Sequence, residues 1–276
     1  MIRFLSLCAG IGGFDLGFER SGMRCVGQVE IDPYCRRVLS KHWPDVWQHD
    51  DVLTLSAEMV RENCGDVDLI CAGFPCQDLS VAGKQAGLHD GKQSSIFFDI
   101  MRVVRMVRPR YVCLENVPAL LSRPEWMGAV LGELAESGYD AWWDCVPAQA
   151  VGAPHVRDRV FIVANAQRLG RESWSRCEES TRIGRPKPAA RGKDVADAGC
   201  ERGRCGKARR QDAENARKSP GCSFARQWFT EPDVGRVAHG VPNRLDRLRG
   251  LGNAIVPQVA EYIGMMIVAQ HQEAIA

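Results

Sequence analysis

The 276-residue sequence has no CxxC pair, no long apolar run and a net charge of only +2. Its longest apolar run is far too short to cross a bilayer. The opening residues, MIRFLSLCAGIGG, lead into glycines rather than into a signal-peptide cleavage site. These absences favour a soluble intracellular protein over a membrane or secreted one.

The twelve cysteines do not form the pattern of a disulfide framework or a metal centre. They are scattered through a long chain without a secretory signal, which indicates free thiols in a reducing compartment. Cys200 and Cys205 are separated by four residues, a poor spacing for a zinc site. We therefore expect no structural metal.

The small net charge conceals an uneven distribution. Residues 164–227 carry 16 Lys and Arg against 8 Asp and Glu, whereas the rest of the chain is mildly acidic. A basic segment of this kind is typical of polyanion binding. A solvated, partly disordered insert would have the same composition, so both interpretations stay open.

Strand-like and helix-like segments alternate over the first 165 residues. Short apolar runs such as IRFLSLC (2–8), DLICAGF (68–74) and YVCLENV (111–117) are separated by amphipathic stretches. This alternation predicts an α/β fold with a doubly wound, mostly parallel sheet. We expect one domain over 1–165, a basic and partly disordered region over 166–241, and a C-terminal segment, 242–276, that returns to the first domain.

Polar residues close several of the predicted strands. In doubly wound sheets, ligands bind beyond the carboxyl ends of the strands, so these residues should meet on one rim. They are Gly10, Gly12, Gly13, Glu30, Asp51, Cys76, Glu115 and Asn116.

The loop AGIGG (9–13) follows a strand and precedes a helix, as a nucleotide-binding loop does. The third glycine of the dinucleotide fingerprint is replaced by Asp15. Glu30, placed to bond ribose hydroxyls, and Asp51, placed to accept from an adenine amino group, favour S-adenosylmethionine over NAD. A glycine turn of purely structural use is the alternative.

Cys76 follows Pro75 in AGFPCQDLS (72–80). Pro75 holds Phe74 extended and fixes the approach to the cysteine, so the loop can present a thiolate. A packing cysteine would be the simpler interpretation of Cys76 taken alone.

The chemistry suggested by Cys76 needs partners, and the sequence offers them at other strands. Glu115 ends one strand, and Arg157 and Arg159 are placed to face one side of another. A thiolate, a carboxyl and arginines beside a methyl donor are the groups needed to methylate a pyrimidine at carbon 5. The thiolate would add to C6, a protonated Glu115 would serve N3 and an arginine would serve O2.

The order of these motifs resembles the DNA (cytosine-5) methyltransferases of bacteria and phages. The matching segments are SLCAGIGGF, VEIDPYC, HDDV, GFPCQDLSVAGK, SIFFDIMR, LENV, VGAPHVRDRVFIVA and GLGNAIVP. The resemblance implies a Rossmann-like, S-adenosylmethionine-dependent fold with a small irregular target-recognition region.

The resemblance also implies roles for individual residues. Cys76 would be the nucleophile and Glu115 would bind the cytosine ring, with Asn116 supporting the loop and Arg157 and Arg159 around the flipped base. The cofactor residues would be Gly10, Gly12, Gly13, Phe14, Glu30, Ile31, Asp51, Phe74, Pro75 and Asn253.

The partner implied is double-stranded DNA, from which the target cytosine is flipped. Residues 80–95 would be a mobile lid or a plain surface loop. The resemblance further implies a cytoplasmic, monomeric enzyme of DNA methylation, solitary or paired with a restriction endonuclease. His155 stands where glutamine is usual, and the target-recognition region is short, so the target sequence cannot be inferred.

Three alternatives to this interpretation stay open. They are an RNA cytosine-5 methyltransferase of the same fold, a DNA-binding protein with impaired catalysis, and an NAD-dependent oxidoreductase. The missing third glycine makes the oxidoreductase the weakest of them.

Overall fold

The computed structural model describes residues 1–74, 96–166 and 244–275. Seven strands are formed by these residues: β1 (Arg3–Leu7), β2 (Arg24–Val29), β3 (Trp47–His49), β4 (Leu69–Gly73), β5 (Tyr111–Asn116), β6 (Tyr139–Pro147) and β7 (Asp158–Ala166). Their helices are α1 (Gly13–Arg20), α2 (Pro33–His42), α3 (Ala57–Cys64), α4 (Ile96–Val107), α5 (Pro124–Glu136), α6 (Arg244–Asn253) and α7 (Pro257–Glu273). Short 3₁₀ turns lie at Val52–Thr54, Pro118–Leu120 and Ala148–Val151.

The strands form one sheet in the order β3-β2-β1-β4-β5-β7-β6. Strands β1 to β5 pair in parallel, and β7 pairs antiparallel with both β5 and β6. The predicted α/β fold with a mostly parallel sheet is therefore confirmed. Because β7 is reversed, its amino end lies at the same edge as the carboxyl ends of β1 to β5.

Local sequence explains where helices begin. Asp32 caps α2, because its carboxylate accepts a hydrogen bond from the Tyr34 N–H at 2.7 Å, and Pro33 occupies the first turn. Ser56 caps α3 in the same way through the Met59 N–H. These caps direct the chain from the carboxyl end of a strand into the next helix.

The apolar side chains form one core on each face of the sheet. On one face, α3, α4 and α5 cover Leu5, Leu7, Ile70 and Val112. On the other face, α1 and α7 cover Phe4 and Tyr111. The parallel strands are therefore buried on both sides, which accounts for their nearly continuous apolar sequence.

Helices α1 and α7 pack unusually closely. A Cβ atom at Gly17 would clash with the Cβ of Ala260 and the carbonyl oxygen of Pro257. The C-terminal helix α7 therefore packs mainly on α1.

By length and composition alone, Leu245–Glu273 could cross a membrane, which inspection of apolar runs did not anticipate. Residues 254–256 interrupt the helix, however. Val259, Ile263 and Ile267 are buried against α1 and the sheet. One face of α7 is therefore packed against the rest of the protein.

Two expectations cannot be compared with the structure. The loop 80–95 and nearly all of the region 166–241 lie outside the described residues.

The close approach of α1 and α7 predicts opposite effects of two glycine-to-alanine changes. Gly17→Ala should destabilise the protein by about 1–3 kcal/mol, because the added methyl group forces the helices apart. Gly132→Ala in α5 meets nothing within 4 Å and should be neutral or stabilising by up to about 1 kcal/mol. Urea unfolding followed by circular dichroism measures both; similar midpoints for the two variants would contradict the close packing.

Candidate active site

The carboxyl edge of the sheet holds Glu30, Glu115 and Asn116, three of the residues predicted to meet there. Glu115 and Asn116 end β5, and Arg159 lies near the start of the neighbouring strand β7. In the register of these two strands, Glu115 is opposite Phe161 and Asn116 is opposite Val160. Glu30 follows β2 on the other side of β1.

Glu115 and Arg159 form the central ion pair of this edge. The Nε atom of Arg159 lies 2.9 Å from Oε1 of Glu115. The glutamate is 8% exposed, and a Cβ at Gly73 would lie 3.1 Å from its other carboxylate oxygen. Glycine at position 73 therefore leaves room for the carboxyl group.

Burial raises the pKa of Glu115 to about 7, against the opposing effect of the Arg159 and Arg157 charges. A carboxyl group with such a pKa is present in both protonation states near neutral pH. It can therefore donate a hydrogen bond from its protonated form, which an ordinary exposed glutamate cannot do.

Asn116 forms a hydrogen bond with the backbone directly after β4. Its Nδ2 donates to the carbonyl oxygen of Phe74 at 3.0 Å, and its Oδ1 accepts from the Val117 N–H at 2.8 Å. Phe74 is the last described residue before Pro75 and Cys76. Pro75 and Cys76 lie outside the described residues, so the support of the Cys76 loop by Asn116 stays a prediction.

The two arginines, predicted to face the same side of a strand, have different partners. Arg159 lies in β7 and pairs with Glu115. Arg157 precedes β7, and its Nη2 donates to the carbonyl oxygens of Gly252 and Ala254, each at 2.8 Å. In the described part of the chain, only Arg159 therefore points at the carboxyl group of Glu115.

The glycine loop, residues 9–13, is fixed by the carboxylate of Glu30. One oxygen accepts from the Gly10 N–H at 2.7 Å, and the other accepts from the Asp32 N–H at 2.8 Å. Gly10 and Gly12 have φ angles of 58° and 87°, a conformation that favours glycine. The structure thus brings together Glu30 and the glycine loop, as predicted.

The other predicted cofactor residues surround this loop at different depths. Phe14 is buried and packs against Phe18 and Phe161, with ring centroids 5.1 and 6.1 Å apart. Ile31 is 70% exposed beside Glu30. Asp51 accepts from the Leu53 N–H at the start of a 3₁₀ turn, and Asn253 is exposed at the end of α6.

The main residue that sequence inspection did not assign is Asp15. Its carboxyl group is fully buried and accepts from the Ser6 hydroxyl at 3.1 Å and from the Gln28 amide at 2.8 Å. Burial raises its pKa. Asp15 thus ties α1 to β1 and β2 beneath the loop. Its signal in the sequence was a carboxylate at the third position of the glycine fingerprint.

The cysteines in the described residues form no disulfide bond with one another. Burial raises the pKa of the Cys25, Cys71 and Cys113 thiols, which suits packing rather than nucleophilic attack. Among the described residues, no cluster of side chains suits a metal ion.

Comparison with known proteins agrees with this geometry. The family model for C-5 cytosine-specific DNA methylases matches residues 2–210. The chain belongs to this family. Its members include the type II methyltransferase M.HgiCII of Herpetosiphon aurantiacus, which is 34% identical over 63% of this chain and 39% of its own length. M2.BsuMI of Bacillus subtilis is 36% identical over 59% of this chain and 42% of its own length.

The chain thus spans less than half the length of these two relatives. The shorter relative M.AquIA of Picosynechococcus is 32% identical over 61% of this chain and 73% of its own length. Among solved structures, a DNA modification methyltransferase encoded within a prophage of E. coli superposes with a TM-score of 0.52. It is 26% identical and covers 61% of this chain and 48% of its own. The Dnmt2 methyltransferase of S. pombe, 20% identical over 68% of this chain and 57% of its own with a TM-score of 0.54, shares the fold.

The raised pKa of Glu115 predicts a pH-dependent stability. Since the folded value of about 7 lies above the unfolded value of about 4.3, stability is fully present below pH ~4 and is lost as the pH rises through 7. Relative to Glu115→Gln, the wild-type free energy of unfolding should fall by up to about 3 kcal/mol between pH 4 and 8, at about 1.4 kcal/mol per pKa unit.

Urea unfolding at a series of pH values measures this difference. Asp15 is present in both proteins, so its own titration cancels in the comparison. Glu136→Gln, at an exposed position of α5, is the matched control and should follow the wild-type curve. A constant difference between wild type and Glu115→Gln across the pH range would contradict the raised pKa.

Proposed function

We propose that this protein is a DNA (cytosine-5-)-methyltransferase that transfers a methyl group from S-adenosylmethionine to carbon 5 of a flipped cytosine. The observation that carries the proposal is the buried Glu115–Arg159 pair, placed beside the strand that leads into Cys76, in a chain of the C-5 cytosine methylase family. The relatives named above are type II methyltransferases, which supports double-stranded DNA as the substrate.

In this proposal, Cys76 forms a bond to carbon 6 of the cytosine and makes carbon 5 nucleophilic. Protonated Glu115 donates a hydrogen bond to N3, where electron density accumulates, and Arg159 serves O2. S-adenosylmethionine, when bound, supplies the methyl group as an electrophile. Loss of the proton from carbon 5 then expels the Cys76 thiolate and restores the aromatic ring.

The residues of the loop fit an adenosine group. The Glu30 carboxylate is held by two backbone N–H groups, and each oxygen keeps a lone pair for a ribose hydroxyl. Ile31 offers an exposed apolar side chain for an adenine face, and Asp51 offers an acceptor for its amino group. Asp15 replaces the third glycine of the dinucleotide fingerprint. This replacement favours S-adenosylmethionine over NAD as the ligand.

Binding to DNA requires the target base to leave the helix, because neither face of a stacked cytosine is accessible to a thiolate. The excess of basic residues at 164–227 would add phosphate contacts. The proposal includes a monomeric enzyme of the cytoplasm, with a restriction endonuclease as a possible partner in the cell.

The nucleophile is tested with duplex DNA that contains 5-fluorocytosine, which blocks the release of Cys76 from the ring. Wild-type protein with S-adenosylmethionine should form a protein–DNA adduct that survives denaturation. Cys76→Ser should lose both the adduct and methyl transfer to ordinary DNA. Cys145→Ser, at a partly exposed position in β6, is the matched control and should behave as wild type.

Gel electrophoresis under denaturing conditions shows the adduct, and tritiated S-adenosylmethionine measures transfer. An adduct formed by Cys76→Ser would refute the nucleophile. Label on RNA but not on any duplex DNA would favour the RNA methyltransferase. Duplex binding without label or adduct on either would favour a DNA-binding protein with impaired catalysis.

The cofactor assignment predicts a loss of affinity on changing Glu30. Glu30→Ala removes a charged acceptor for ribose and should weaken binding of S-adenosylhomocysteine by about 10- to 100-fold, since such hydrogen bonds contribute about 1.5–3 kcal/mol. Glu62→Ala, on the exposed surface of α3, should leave the affinity unchanged. Isothermal titration calorimetry measures the affinities, and binding of NAD in place of S-adenosylhomocysteine would overturn the assignment.

A further inference from the structure

Arg157 joins two parts of the chain that are 95 residues apart in sequence. Its Nη2 donates to the carbonyl oxygens of Gly252 and Ala254, each at 2.8 Å. These carbonyls lie at the end of α6 and in the break before α7, where the helix provides no partner for them. A guanidinium group, with several N–H donors in one plane, is well suited to hold both.

The segment that Arg157 holds, residues 250–256, also contacts the cofactor loop. A Cβ at Gly250 would lie 3.2 Å from the side chain of Ile11. A Cβ at Gly13 would lie 2.5 Å from the carbonyl oxygen of Ile255, so glycine is required for the contact. We call residues 250–256 the return segment. Its position therefore sets the position of the loop that binds the adenosine group.

Ile255 lies close to both the cofactor loop and the cytosine site. It lines a small gap of about 10 Å³ together with Arg157, Arg159 and Phe161. A Cβ at Gly73, beside the Glu115 carboxylate, would lie 3.7 Å from the Cδ1 atom of Ile255. The side chain of Ile255 thus lies between the glycine loop and the Glu115–Arg159 pair.

The charges explain why the two arginines divide their roles. Glu115 is paired with Arg159, whose Nε atom lies 2.9 Å from its carboxylate. Arg157 is directed instead to neutral carbonyl groups, which hold it without competing for Glu115. Moving Arg157 onto Glu115 would leave both carbonyls of the return segment without their donor.

We propose that Arg157 is a positioning residue that holds the return segment on the cofactor loop, so that the cofactor and the cytosine sites share one support. The proposal deepens the proposed function and rests on it. Arg157 then acts on cofactor affinity without touching the cofactor, whereas Arg159 acts on the cytosine.

The test compares Arg157→Ala, Arg157→Lys and Arg159→Ala in the full chain. Arg157→Ala should weaken S-adenosylhomocysteine binding by about tenfold, the loss expected for one or two hydrogen bonds. Arg157→Lys, which keeps the charge but not the planar fork, should lose less. Arg159→Ala should bind S-adenosylhomocysteine as wild type does.

Kinetics separate positioning from catalysis. With Arg157→Ala, KM for S-adenosylmethionine should rise while kcat at saturating cofactor stays within a few-fold of wild type. With Arg159→Ala, kcat should fall and KM for S-adenosylmethionine should stay unchanged. A loss of kcat alone in Arg157→Ala, or wild-type affinity for S-adenosylhomocysteine, would overturn the proposal.

Hydrogen exchange tests the support without any ligand. Amides in residues 250–256 and in the loop 9–13 should exchange faster in Arg157→Ala, while those of β4 and β5 keep their protection. Faster exchange throughout the chain would show that Arg157→Ala destabilises the whole protein. The milder Arg157→Lys variant is then measured instead. Unchanged exchange of residues 250–256 and 9–13 in Arg157→Lys would refute the proposal. If the wild-type protein binds no S-adenosylhomocysteine, the proposed function is wrong. The hydrogen-exchange result then still shows whether Arg157 holds the return segment.

Discussion

The ion pair between Glu115 and Arg159 can form only because β7 runs antiparallel to β5. In this register, the start of β7 lies at the edge where β5 ends, so an arginine early in β7 meets a glutamate late in β5. A parallel β7 would place Arg159 at the opposite edge of the sheet. The other residues at this edge come from the carboxyl ends of parallel strands. The reversal of β7 adds a positive charge, Arg159, from the amino end of a strand. Burial opposes ionisation of Glu115 more strongly than Arg159 favours it, and the result is a carboxyl group that titrates near neutrality.

The second constraint is the lack of space above the glycine loop. The return segment lies so close to Gly13 that no side chain fits there, and α7 lies as close to Gly17. Close packing of this kind transmits small displacements, because a dense interior cannot absorb them locally. Two sites that contact the same segment are therefore not independent, and Ile255 contacts the surroundings of both. In the ligand-free protein, a shift of the return segment would therefore affect both the glycine loop and the surroundings of the Glu115–Arg159 pair.

The strand ends could be predicted from sequence because they depend on local patterns. A short apolar run that ends in Glu30 or Glu115 identifies both the strand and the carboxylate at its end. The direction of β7 could not be predicted in this way, since its sequence is equally compatible with either direction. Spacing suggested that Arg157 and Arg159 act together, yet Arg157 lies outside the strand and binds carbonyls 95 and 97 residues away. Asp15 departs visibly from the glycine fingerprint, but its hydrogen bonds to Ser6 and Gln28 depend on how α1 packs on β1 and β2, which the sequence pattern does not show.

The described residues account for chemistry better than for the choice of a DNA sequence. Reading a sequence requires side chains that reach the edges of bases in a groove, whereas phosphate contacts fix position and carry no sequence information directly. Glu115, Arg159 and Glu30 are engaged with each other or with the loop, at the depth where a single flipped base and a cofactor would lie. A net positive charge such as the excess of Lys and Arg at 164–227 cannot select a sequence, because charge alone adds affinity to every sequence equally. Selection of a target must therefore come from side chains outside the sheet edge. In the proposed function, the groups at this edge contact only the flipped base, so their arrangement is compatible with many different target sequences.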